Sequence, residues 1–236
     1  MRVLVLLFLL AAGLGLWAEN LPAWLIPLRE AVYEQTLTAD EVRPLYLAAK
    51  AAAAQNYSGP ALDMALSRCE YFMGRVLHRE ERNDEARVHY LEGINFAEKT
   101  LAAAPGADAW VMLAENLSQA CAVSPWTYMI ANGLNIEKFA KNALSFNSRN
   151  AAAQYLIAAR WVFAPAPLHN HRKGIQMMEA ILPEGDMEKD DRFNIYSAIG
   201  YAYVQQKRYA EARPWILRSL EIYPTNKYAN DLLNKR

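Results

Sequence analysis

A chain of 236 residues, 53% of them apolar, is long enough to bury one sizeable core or a short repeat array, and too apolar for wholesale disorder. Its 25 basic and 25 acidic side chains cancel. That balance argues against a general nucleic-acid binder, which needs a basic surface to displace counterions from phosphates.

Residues 1–18 have the three-part layout of a secretory signal peptide: a positive start at Arg2, an uncharged apolar run from Val3 to Leu16, and small Ala18 before Glu19. The run is shorter than the ~20 apolar residues that span a bilayer, and no cysteine stands at its end to carry a lipid. Leu16 is bulkier than the residue usually found two places before a cut, so retention as an anchor stays open beside cleavage after Ala18. Cleavage removes one charge, Arg2, and no later apolar stretch is long enough to cross a membrane. The expected location is outside the cytoplasm of a bacterial cell, periplasmic or secreted.

Pro22 and Pro27 then break short apolar segments. Thr38, followed by Glu41 three residues later, is a capping-box signature. Pro44 fits only an early turn, so the helix it opens is expected to start at or a few residues after Thr38. The alanine-rich run of 48–54 ends at Asn56-Tyr57-Ser58-Gly59. Helical periodicity fills 61–79, interrupted only by Gly74, and after a polar turn it fills 85–103 up to Pro105-Gly106. A further helix starts near Ala107. Ser124-Pro125 and Asn132-Gly133 read as turns around an aromatic insert at 126–130, expected to pack against the array because large apolar residues usually bury. Helices are expected at 135–146, 151–163, 175–182, 193–206 and 209–223, with Pro165 and Pro167 between the second and third of these. No alternating strand pattern of useful length occurs. The fold class is all-α.

The 193–226 segment reads Tyr196-x2-Ile199-Gly200-x2-Tyr203, then Tyr209, Ala212-x3-Ile216 and Pro224. This resembles a tetratricopeptide repeat, in which an aromatic, a Leu-Gly pair, Tyr, Ala, Phe and Pro mark two packed helices. Gly200 and Ala212 are expected to face each other where the helices cross. The pattern recurs at Met73-Gly74-x2-Leu77 with Ala86-x3-Tyr90, at Trp110-x2-Leu113-Ala114-x2-Leu117, and loosely over 155–182. The resemblance implies an array of about four degenerate antiparallel helical hairpins over 60–226. Residues 19–59 would supply an N-terminal segment and capping helix, and 227–236 a C-terminal cap.

In that family the first helix of each hairpin lines a concave groove. The resemblance implies that Arg68, Tyr71, Arg75, His78 and Arg79 form one groove face, at i, i+3, i+7, i+10 and i+11. Three guanidinium groups there would suit a carboxylate or an acidic peptide; a solvated basic face balanced by Glu80, Glu81 and Asp84 is the plainer alternative. The last repeat would present Asn194, Ser197, Tyr201, Val204 and Gln205.

No metalloprotease helix, phosphate-binding glycine loop or nucleophile elbow is present, so no catalytic residue is assigned and no enzyme is expected. Neither a cofactor nor a metal is expected: His169 and His171 lack a third ligand, and a solvated loop at a helix start is the default there. Cys69 and Cys121 sit among apolar residues in helices, which favours buried free thiols over one disulfide. Asn56 and Asn116 head Asn-x-Ser sequences, the second inside a helix. The expected function is an exported interaction or scaffold module that binds a protein or peptide, an acidic one included, through the groove; a second copy of the chain is a further candidate partner. The alternative is an accessory component of a solute-uptake system, since exported spirochaetal proteins associated with TRAP-type transporters are similar in architecture.

Overall fold

The computed structural model describes residues 21–183 and 187–235; the signal-peptide reading of 1–18 lies outside them. The described elements are eleven helices: α1 (Ile26–Glu34), α2 (Ala39–Asn56), α3 (Gly59–Arg79), α4 (Asn83–Ala103), α5 (Ala107–Ala122), α6 (Trp126–Phe146), α7 (Ala151–Phe163), α8 (His171–Ile181), α9 (Lys189–Gln205), α10 (Tyr209–Ile222) and α11 (Lys227–Leu233). Four hairpins, α3–α4, α5–α6, α7–α8 and α9–α10, stack in order, and their first helices α3, α5, α7 and α9 are successive neighbours. α2 packs on α3 at one end of the stack, and α11 packs on α10 and α9 at the other.

The first and last hairpins are built alike. A Cβ at Gly74 would lie 2.5 Å from Tyr90 Cε1, and one at Gly200 would lie 2.6 Å from Ile216 Cγ1. Each glycine removes a side chain where a residue of the second helix presses onto the first. The expectation that Gly200 faces Ala212 is therefore corrected by one helical turn: its close neighbour is Ile216, while Ala212 is buried in the same interface. Both hairpins turn through a non-glycine residue in the left-handed region, Glu81 (φ 61°) and Lys207 (φ 58°). In both, the next backbone N–H reaches back into the first helix, Arg82 to the Leu77 carbonyl and Arg208 to that of Tyr203.

α2 begins at Ala39 despite Pro44, because the capping box forms in full: Thr38 accepts from the Glu41 amide and the Glu41 carboxylate accepts from that of Thr38. Asn132-Gly133 makes no turn. α6 runs unbroken through it, and Asn132 spends its side-chain amide on the Tyr128 carbonyl one turn back. The insert opens this long helix, and it does not bury as expected: Trp126 is 69% exposed, with Met129 and Ile130 also exposed, as is Leu134 just beyond it. Tyr128 alone turns inward, under the Arg87 guanidinium.

The sequence pattern does not announce α1 as a helix. Pro27 sits at its N-terminal turn, where a missing N–H costs nothing. The helix buries Leu28, Ala31, Val32 and Tyr33 in a cluster that also takes in Tyr71 and Phe72 of α3, Phe193 of α9, Tyr223, and Leu232 of α11. One core thus joins the first hairpin to the last through α1.

Candidate functional site

α1 lies between the first helices of the terminal hairpins and is gripped from both sides. From α3, Arg79 donates to the carbonyls of Leu37 (2.5 Å) and Ala31 (3.4 Å), and the Arg75 guanidinium lies 5.3 Å from the centre of the Tyr33 ring. From the C-terminal end, Tyr33 stacks on Tyr223 at 4.9 Å and meets the edge of Phe193 at 5.5 Å. Its hydroxyl accepts from Asn194 Nδ2 (3.2 Å), and Asn226 Nδ2 donates to its carbonyl (2.7 Å). Lys189 pairs with Glu30 at 2.8 Å, and the Gln35 side chain accepts from the Lys227 amide at the start of α11.

Beside α1 the concave face opens into a half-open cavity of about 690 Å³. Its walls come from the chain start at 21–25, from α3, from α5, from the loop and first residues of α7, and from the N-terminal turn of α9. Ala61, Met64, Ala65 and Met112 give apolar wall; Trp24, Tyr57, Tyr71 and Phe72 give aromatic wall. The charged lining is one-sided: Asp108, Glu115, Glu188, Asp190 and Asp191 against Arg68.

Burial and mutual repulsion set the protonation of these acids. Burial, reinforced by Asp190, pushes the Glu115 carboxyl up to about 8, against the pull of Arg68 and Arg75. Asp191 is raised well above the usual range by burial and then by Asp190; Asp190 and Glu188 are raised by burial too. Asp191 accepts from the Glu188 amide as a helix cap (3.0 Å), whereas Oδ1 of Asp190 is buried without a hydrogen-bond partner. Among the described residues, Glu115 has neither a hydrogen bond nor an ion pair.

The α3 residues singled out by the repeat pattern divide along the helix. Arg68, 21% exposed and 4.0 Å from Asp108, lines the cavity with Tyr71. Arg75 is covered by α1 and donates to the Tyr71 hydroxyl at 2.9 Å; Arg79 is engaged by α1 as described. His78 is turned toward Gln119, with burial and then Arg75 holding its pKa below the usual value. On α9, Asn194 meets Tyr33, Ser197 and Val204 are buried, Tyr201 packs on Phe163 at 5.1 Å, and Gln205 is exposed. These residues do not form one face toward the cavity. The acids of α5 and α9 carry no motif; Asp190 and Asp191 precede the expected helix start at 193, where α9 in fact begins at Lys189, and their convergence with Glu115 depends on how the repeats stack.

Cys69 and Cys121 are both buried and free, and burial pushes them to about 12 and about 11. Asn116 is fully buried, donating to Ser67 Oγ and the Met112 carbonyl, and so offers no glycan site. The His169 and His171 rings stack at 4.4 Å, and no group of three or more His, Cys, Asp or Glu among the described residues is placed to hold a metal. No described helix is long and apolar enough to cross a membrane.

Comparison with known proteins agrees with this geometry. Residues 193–226 match the model of the tetratricopeptide repeat family. The chain is similar in structure to TTC0263, a thermophilic TPR protein of Thermus thermophilus, with 19% identity and a TM-score of 0.54 over 89% of this chain and 100% of that one. It is more distantly similar to YrrB, described as a TPR protein with an unusual peptide-binding site: 13% identity and a TM-score of 0.37 over 82% of each chain. No curated protein sequence matches. The chain carries a tetratricopeptide repeat, and its fold is the all-helical fold of a tetratricopeptide-repeat protein.

Proposed function

We propose that this protein is an exported interaction module that receives part of a peptide or protein partner in the cavity of its concave face. One observation carries the reading: the cavity takes its walls from three of the four first helices and from the N-terminal turn of α9, so the stack as a whole forms it. α1 fills the rest of the face, along Arg75 and Arg79, where an extended peptide would otherwise lie. Of the expected anchors, Arg68 and Tyr71 remain to meet a partner; Arg75 and Arg79 hold the protein's own chain. Ala61 is exposed at the rim of the cavity, and tryptophan there obstructs the opening without entering the core. Purified protein starting at Glu19 is expected to retain a specific partner from the native envelope fraction, and Ala61→Trp to lose it while keeping the wild-type circular dichroism. Equal retention by both proteins overturns the reading.

A second reading, an accessory component of solute uptake, is favoured by the size of the cavity, which falls within the range of small-molecule pockets. A neighbouring gene pair for a transporter permease and a solute-binding protein, with measurable contact between that binding protein and this chain, would support it. A lone gene with no such contact dismisses it.

A further inference from the structure

Resting on the cavity reading above, we infer that the cavity is a site for an organic cation bearing a primary ammonium group, carried by a small amine or by a lysine side chain of a partner. Three features of the lining select that chemistry. Five carboxylates line the cavity against the single guanidinium of Arg68, with Arg29 and Arg75 close behind them, and one of the five, the half-buried Glu115, is left without a hydrogen bond or ion pair among the described residues. An acid withdrawn from water in this way is costly unless a cation meets it, and Oδ1 of Asp190 is a second acceptor, fully buried and without a hydrogen bond. The remaining wall is aromatic and apolar, with Tyr71 and Phe72 on α3 and the Trp24–Tyr57 pair, whose ring centres are 6.1 Å apart, near the chain start. Such rings attract an alkylammonium ion by their π faces and cover its methylene chain. A metal ion is a poorer fit, because no three of the carboxylates among the described residues converge at ligand geometry. A carboxylate ligand has Arg68 alone to meet it, and that side chain already faces Asp108.

The acids supply a signature of occupancy. Glu115 looks onto Arg68 and Arg75 of α3 and onto Glu188 and Asp190 at the start of α9; Tyr71, Tyr155 and Asp191 feel its charge in turn. An ammonium ion entering this group favours the ionised carboxylate, so binding near pH 7 expels a proton to the buffer.

The test is titration calorimetry on the chain starting at Glu19 with 1,5-diaminopentane, a lysine-containing hexapeptide, and glutarate as the anionic counterpart of the diamine. Saturable binding of the diamine or the hexapeptide is expected, with an enthalpy that varies with the ionisation heat of the buffer, and no binding of glutarate. Glu115→Gln keeps the shape of the side chain and is expected to weaken binding at least tenfold and reduce the buffer dependence; Asp190→Asn provides a second reading of the same loss. Binding of the diamine assigns a free amine as ligand, and binding of the hexapeptide alone assigns a partner's lysine. Glutarate binding in place of the amines, no binding of any probe, or unchanged amine binding in both variants overturns the inference. Loss of partner retention in Ala61→Trp without amine binding would leave the interaction reading standing and remove only the ammonium assignment.

Discussion

Glu70 shows how a single buried charge is made stable. It is 2% exposed, and its carboxylate accepts from Tyr46 (2.7 Å) and Lys50 (2.6 Å) and pairs with His89 Nδ1 (2.6 Å), joining α2, α3 and α4. Burial alone would raise its pKa, but the hydrogen bonds from His89, Lys50 and Tyr46 together hold it below the usual carboxylate value. A depressed folded pKa contributes stability above the unfolded value of about 4.3, and that contribution is lost as pH falls through the folded value. Glu70→Ala is expected to cost about 3 kcal/mol in urea denaturation at pH 7, at the low end for a broken buried pair because Lys50 reaches solvent. The deficit should shrink near pH 3; a deficit independent of pH would mean that packing, not charge, is what the variant removes. Gly200 makes a steric counterpart. Gly200→Ala is expected to cost about 1–3 kcal/mol through contact with Ile216, and the cost should fall in an Ile216→Ala background, which removes the contacting Cγ1; additive effects would show that the two do not meet. Of these features, the small residues were legible, because Gly200 and Gly74 stand at matching places in a repeat. The turn that Gly200 faces was not, since a pattern of spacings leaves open which of two successive buried residues, Ala212 or Ile216, presses closest. Nor does the pattern reveal Glu70, which reads as one more helix-surface acid.

Among the elements, α1 departs furthest from what the sequence declares. Pro22 and Pro27 mark breaks, and the segment between them and Thr38 has no repeat signature, so nothing in the periodicity places it on the concave face. The physical cause is tertiary. A short helix of nine residues is marginal on its own, and it is held by the aromatic stack of Tyr33 on Tyr223 and Phe193 together with the Arg79 hydrogen bonds. Tyr33 is 1% exposed, and Tyr33→Ala is expected to cost about 3–5 kcal/mol. Because α1 joins both ends of the stack, amide exchange should rise in α9, α10 and α11 as well as in α1. If only α1 loses protection, the helix rests on the array without clamping it. The same placement changes what a test of the α3 arginines reports. Arg75→Glu sets an acid beside Glu115 and under Tyr33, so loss of partner binding in that variant would register disturbed folding before it registered a lost anchor. The hairpins themselves were legible because each carries its own helical periodicity and punctuation. α6 is the exception, since Asn132-Gly133 has the composition of a turn and is overridden by a helix that continues on both sides.

The whole molecule balances its formal charge while concentrating acid on one surface. Net neutrality says nothing of this, because the carboxylates of α5 and α9 come together only when the hairpins stack. Their effect on stability runs opposite to that of Glu70. The folded pKa of Glu115 is raised to about 8 by burial and by Asp190, so between the ordinary carboxylate value and that point the folded protein holds a proton that the unfolded chain has released. Folding is then favoured at the lower end of the window, and stability declines as pH rises through it, by at most about 1.4 kcal/mol per pH unit for one such group. Urea midpoints of the wild type are expected to fall from pH 5 to pH 8. Those of Glu115→Gln should start close to the wild type at pH 5 and decline less steeply, leaving the variant the more stable protein at pH 8. Asp190, Asp191 and Glu188, also raised, retain part of the slope. Parallel profiles for the two proteins would show that Glu115 titrates as an ordinary carboxylate and that water or a neighbour already compensates it. A cation bound in the cavity acts on the same equilibrium from the other side. It favours the ionised carboxylate and binds only the folded chain, so a saturating ammonium ligand should flatten the wild-type decline toward that of the variant and change the slope of the variant's own profile less.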